Sequence, residues 1–141
     1  MTPRAIIDTN VLVSALRSSR GWSYHILALA DSGKFVPCLS VPLVLEYEAA
    51  AKRLCRKGGL TAATVDTIID YLCRVSTHHR IHYLWRPLLR DPSDDMVLEL
   101  AVAAQADFIV THNRADFRGA EGFAVEVLAP VEFLRRIGEV P

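Results

Sequence analysis

The stretch DPSDDMVLELAVAAQADFIVTHNRADF, residues 91–117, is where the fold class is decided. Asp91 followed by Pro92 reads as a helix opening, because Asp is a favoured cap and a first-turn proline gives up an amide that has no intrahelical partner. Helical spacing then runs to about Ala106, and Phe108 to Thr111 follows as a short apolar run of the kind that makes a buried strand. The strand ends in a dense polar loop, Thr111, His112, Asn113, Arg114, Ala115 and Asp116. Helix, strand and polar loop in that order are the repeating unit of an α/β protein.

Working outward, Ala5 to Ile7 is a second apolar run, ending in Asp8, and Phe35 to Leu39 is a third, between Gly33 and Ser40. Thr9 to Leu16 and Trp22 to Ala30 carry helical spacing, separated by the turn residues Ser18, Ser19, Arg20 and Gly21. Ser40 can cap a helix beginning at Val41 and Pro42, whose apolar stripe is Leu43, Tyr47, Ala50 and Leu54 and whose end is marked by Gly58 and Gly59. Thr61 to Val75 repeats the pattern as a second helix. Ile81 to Trp85 is expected as a short strand, Ala124 to Leu128 as the last strand, and Pro130 as the start of a terminal helix. Alternating strands and helices predict a three-layer α/β/α sandwich around a central parallel sheet, as a single domain over residues 1–141. Active sites in such sheets form outside the carboxyl ends of the strands.

Composition sets bounds on function. With 16 basic and 16 acidic residues the net charge is zero, so nucleic-acid binding must come from a local patch. Cys38, Cys55 and Cys73 lie in apolar runs without metal spacing and are expected to be reduced thiols. His78, His79 and His82 have no acidic or cysteine partner at a recognised metal spacing. No leader-like segment or long apolar span is present, so a cytoplasmic protein without membrane contact is expected. Phosphate-loop, dinucleotide and nucleophile-elbow patterns are missing.

The acids carry the chemistry. Asp8 stands at a strand end, where it can serve a site or cap the helix that follows. Glu46 borders a buried stripe, where a carboxylate costs free energy unless paired or metal-bound, whereas Glu48 has Lys52 four residues on. Asp91, Asp94 and Asp95 exceed what a helix start needs; with Asp91 as cap, Asp94 is expected to reach back as in a capping box, leaving Asp95 to point elsewhere. Glu99 follows Asp95 one turn on. Asn113 and Asp116 emerge at the same sheet edge as Asp8, or else bond their own turn. Gathered carboxylates repel unless a cation neutralises them, and hard oxygen donors suit Mg²⁺ or Mn²⁺. Such ions activate water and stabilise charge on a phosphate, so phosphodiester cleavage is the natural reaction.

Four segments together resemble the PIN-domain family over nearly the whole chain: IIDTNVLVSAL at 6–16, SVPLVLEYEAAAKR at 40–53, the stretch at 91–117 and the closing VEVLAP. The resemblance implies a Mg²⁺ or Mn²⁺-dependent nuclease. It also implies a VapC-like ribonuclease toxin of a type II toxin–antitoxin pair, held by a small antitoxin and free to form a homodimer. The segment from Arg53 to Trp85 departs from the commonest such toxins. By that resemblance Asp8, Glu46, Asp95 and Asp116 occupy the acidic positions, Asp8, Asp95 and Asp116 holding metal and Glu46 ligating or orienting water. Thr111 and Asn113 match the supporting polar pair, with Asn10 and Asp94 beside them. Of Arg17, Arg20, Arg53 and Arg114, the last is the expected contact to RNA phosphate. The alternative is a catalytically weak RNA- or partner-binding module on the same scaffold. A phosphohydrolase of small molecules is disfavoured, because Asn10 stands where a general-acid Asp belongs.

Overall fold

A computed structural model describes residues 2–81, 89 and 91–141. Five parallel strands, β1 (Arg4–Ile7), β2 (Val36–Leu39), β3 (Thr77–His78), β4 (Phe108–Val110) and β5 (Glu126–Leu128), form a sheet in the order β3-β2-β1-β4-β5. Six helices surround it: α1 (Thr9–Arg17), α2 (Trp22–Ala28), α3 (Val41–Arg56), α4 (Ala62–Val75), α5 (Pro92–Ala103) and α6 (Pro130–Arg136). Phe108, Ile109 and Val110 are all buried although successive side chains point to opposite faces, so both faces of the sheet are covered. The chain builds outward from β1 to β3 on one side and then returns through α5 to β4 on the other. The order therefore reverses between β1 and β4, and a crevice opens beyond the carboxyl ends of those two strands.

The caps form where the residue types place them. Ser40 Oγ accepts from the Leu43 amide, Thr61 Oγ1 from Thr64, and an Asp91 carboxylate oxygen from Ser93. Phe133 of α6 packs edge-on against Phe35 and Phe108, with ring centroids 5.1 and 5.8 Å apart, and locks the last helix onto the core.

Two boundaries differ from expectation. α5 stops at Ala103 rather than near Ala106, because Gln105 turns into the left-handed region at φ 51°. β5 begins at Glu126, since Ala124 is also left-handed, at φ 56°. The third strand is Thr77–His78, two polar-flanked residues paired with Cys38 and Leu39. The strand expected over 81–85 lies, beyond Ile81, outside the described residues. All three cysteines are free thiols, as expected. His78 bonds the Cys73 carbonyl and His79 bonds Thr77 and Arg4, so both serve local structure. Among the described residues no helix is long and apolar enough to cross a membrane.

Candidate active site

The register of β1 against β4 builds the floor of the crevice. Ile6 faces Ile109 and Ile7 faces Val110, so the next pair along is Asp8 and Thr111. Asp8 donates its amide to the Val110 carbonyl at 2.9 Å. Its carboxylate accepts from the Thr111 hydroxyl and from the Thr9 amide, both at 2.8 Å. Asp8 thus caps α1 and faces the crevice at once; the two readings of this residue are compatible. Thr111, fully buried, also accepts from the Asn10 side-chain amide at 3.2 Å and from the Asn113 amide at 3.1 Å. Asn10 Oδ1 in turn accepts from the His112 amide. The turn after β4 is thereby held to the first turn of α1 by side chains. Burial pushes the Asp8 carboxyl up, the Thr111 and Thr9 bonds hold it down, and Asp116 pushes it up again.

Glu46 is set beside Asp8 by its neighbour. Tyr47, buried on the α3 stripe, donates its hydroxyl to the Ile7 carbonyl and ties α3 to the end of β1. Glu46 is half-buried, its carboxyl raised first by burial, with Thr9 opposing and then Asp8 and Asp91 adding to the rise. Thr9 Oγ1 is buried facing this carboxylate, close enough to favour its charge but without a well-formed hydrogen bond. Glu48 pairs with Lys52 at 3.2 Å on the solvent side, as its spacing predicts.

The third acidic position falls on two adjacent residues that the fold separates. Asp95, expected at the metal, does not line the cleft; its carboxylate accepts from the Leu89 amide at 2.9 Å and is buried there. Asp94, expected to close a capping box, lines the cleft instead. Helix phase is the reason. Adjacent residues on a helix differ by about 100°, so only one of the pair can face β1. The Asp91 carboxylate already satisfies the Ser93 amide, and Asp95 reaches back past the helix start to Leu89, which frees Asp94. Burial, followed by the charges of Asp8, Asp116, Asp91 and Glu46, pushes the Asp94 carboxyl up to about 7. Glu99, one turn beyond Asp95, is raised by burial and then by Asp95, and does not line the cleft.

Asp116 and Asn113 sit in the turn after β4, Asp116 donating its amide to the Asn113 carbonyl, and both line the cleft. Asp8, Glu46, Asp94 and Asp116 therefore border one open cleft of about 610 Å³. Arg114 is not on it; its guanidinium pairs with Glu132 at 3.0 Å. His112, whose ring bonds Ser23 Oγ, and Arg17 and Arg53 also line the cleft; the sequence offered both arginines as phosphate contacts but favoured Arg114. A signal for the arginines was available, since each lies seven residues after a site residue on its own helix, Asn10 and Glu46 respectively.

Among the described residues no three acidic, histidine or cysteine side chains are grouped tightly enough to hold an ion as they stand. The donor chemistry nonetheless fits a hard divalent cation. The converging groups are carboxylates, joined by the Asn113 amide and the buried Thr9 hydroxyl, and their mutual repulsion is what a cation relieves. Asp8, Glu46, Asp94 and Asp116 are the residues available to hold one.

The fold is similar to the crystal structure of PAE2754 from Pyrobaculum aerophilum, with a TM-score of 0.57 at 13% identity, covering 99% of this chain and 92% of that one. No curated protein sequence matches significantly. The sequence itself matches the PIN domain across residues 4–115, from the first residue of β1 to the turn that carries Asn113. With that match over most of the chain and a parallel sheet whose crevice collects the acids, the chain belongs to the PIN domain family.

Proposed function

We propose that this chain is a divalent-metal-dependent endoribonuclease, with Asp8, Glu46, Asp94 and Asp116 as its active site and residues 1–141 as one domain. The observation that carries the reading is the convergence of five carboxylates, the helix-capping Asp91 among them, from four separate segments on one cleft at the reversal of strand order. The PIN domain is a nuclease-type fold whose members typically use divalent ions. An all-oxygen donor set favours Mg²⁺ or Mn²⁺ over softer metals. When bound, such an ion supplies a water of lowered pKa and stabilises charge on the phosphate and its leaving oxygen.

The chain's own residues do the rest. Asp8 is held in one orientation by the Thr111 hydroxyl and the Thr9 amide, so its free lone pairs are aimed before any ligand arrives. Asn10, Thr111 and Asn113 fix the turn that carries Asp116. Glu46, with its carboxyl raised, either completes the cation's ligands or orients the attacking water and takes its proton. In this reading Asp95 leaves the ligand set and serves the fold, accepting the Leu89 amide at the start of α5. A toxin role in a toxin–antitoxin pair, with a small antitoxin as partner in the cytoplasm, is supported by the sequence resemblance.

The second reading, a weakly catalytic RNA- or partner-binding module, is favoured by one observation: among the described residues the acids border a cleft without forming a tight cluster. Cleavage of total RNA titrated with Mn²⁺ and Mg²⁺, with end-mapping of products, separates the two. Metal-dependent cleavage lost in a folded Asp8→Asn protein supports the nuclease. RNA affinity without metal-dependent turnover would falsify it.

A further inference from the structure

The cleft has two electrically distinct ends. On α1, Asn10, Ser14 and Arg17 fall on one face and all border the cleft; on α3, Glu46, Ala50 and Arg53 do the same. The two helices pack side by side. Each therefore leads from the acidic end to an arginine two turns away, about 10 Å along the axis, with the small side chains Ser14 and Ala50 between. Arg17 and Arg53 are exposed, and among the described residues neither makes a hydrogen bond or an ion pair. Arg114 and Arg136, by contrast, are occupied by Glu132 and Glu126. Arg17 also borders a second groove, with Leu54, Lys57 and the turn at Gly58 and Gly59, so the track continues past the arginines to another cation.

We propose that Arg17 and Arg53 form a subsite for a phosphate other than the scissile one, so that the substrate backbone runs along α1 and α3 from the acids to Lys57. This rests on the nuclease reading above. The chemistry fits an extended polyanion. In a chain with no net charge, two guanidiniums that form no ion pair among the described residues, beside an acidic centre, supply local attraction that the acids cannot, and arginine matches phosphate geometry. A compact phosphomonoester has no second charge to reach the arginines. An acidic protein segment would use the same arginines but would not depend on the number of phosphates.

The test is steady-state cleavage of single-stranded oligoribonucleotides of increasing length at saturating Mn²⁺ over a series of salt concentrations, for the full chain. Wild-type KM falls as phosphates are added beyond the scissile one. In Arg17→Ala/Arg53→Ala that gain flattens, and the salt dependence of KM loses about 0.7 in log–log slope per arginine removed. Arg17→Lys/Arg53→Lys keeps most of the salt slope, and Arg20→Ala, which removes a charge off the cleft, matches wild type. Circular dichroism checks the fold of each variant. If wild type cleaves RNA while the double alanine variant keeps its length and salt dependence, the subsite is wrong and the nuclease stands. If wild type cleaves no RNA in any metal, the nuclease reading falls first and the subsite with it.

Discussion

The Thr111 hydroxyl donates to Asp8 Oδ2 at 2.8 Å, across 103 residues of sequence, at the one place where the strand order reverses. The same oxygen accepts from Asn10 and Asn113, so one fully buried atom joins β1, α1 and the turn carrying Asp116. Thr111→Val removes a partner from three polar groups at once. Leaving buried groups unpaired costs about 1–3 kcal/mol, which urea denaturation will read as a lower midpoint. Because this bond holds the Asp8 carboxyl down, its loss raises that pKa further and moves the acid limb of the cleavage profile to higher pH. Thr111→Ser, which keeps the hydroxyl, should recover most of both effects.

The proposed assignment gives Asp94 to function and Asp95 to stability within one peptide unit. Asp94→Asn is expected to abolish metal-dependent cleavage yet raise the melting temperature of the metal-free protein at pH 8, since it removes one of several crowded charges. Asp95→Ala leaves the Leu89 amide without its acceptor and should cost about 1–3 kcal/mol in denaturation while the folded fraction retains its kcat. The reverse pattern, with a folded Asp95→Ala protein inactive and Asp94→Asn active, would restore Asp95 to the metal.

Arg114 sits off the cleft despite its place in the sequence. It follows Asn113 directly, but its guanidinium is turned to Glu132 on α6, with both side chains substantially exposed. An exposed pair of this kind contributes about 0–1 kcal/mol. Arg114→Ala should therefore change neither stability nor the salt slope of RNA cleavage beyond error, and a slope change comparable to that of Arg53→Ala would bring Arg114 back onto the RNA path.

The sheet and helices were legible because their signals are local. Runs buried on both faces mark β1, β2 and β4, and Ser40, Thr61 and Asp91 are caps by residue type. What was not legible depends on a partner or on a dihedral angle. β3 is two residues whose only mark is pairing with Cys38 and Leu39. Gln105 and Ala124 adopt left-handed backbone without being glycine, so nothing in their residue type announces the end of α5 or the late start of β5. The choice between Asp94 and Asp95 turned on which of two neighbours Leu89 would engage, a contact made outside the helix. Arg17 and Arg53 line one cleft only because α1 and α3 lie together.

The crowding of acids also fixes a pH dependence of stability. The Asp94 carboxyl rises from 3.8 to about 7 on folding, through burial and then the charges of Asp8, Asp116, Asp91 and Glu46. A raised carboxyl pKa means the native state holds the proton more tightly than the unfolded chain between those values. Stability from this group is therefore greatest at low pH and is lost as pH climbs from about 4 to 7, the opposite of a salt-bridged carboxylate. Thermal melts of metal-free protein from pH 4 to 8 should show wild type close to Asp94→Asn at the acid end and falling below it by pH 8. Saturating Mg²⁺ or Mn²⁺ at pH 8 should return wild type above the variant, because the cation binds the folded carboxylates and not the unfolded chain. A wild-type protein that instead gains stability over the variant as pH rises without metal would mean that Asp94 is paired rather than crowded, and the site would need a different third acid.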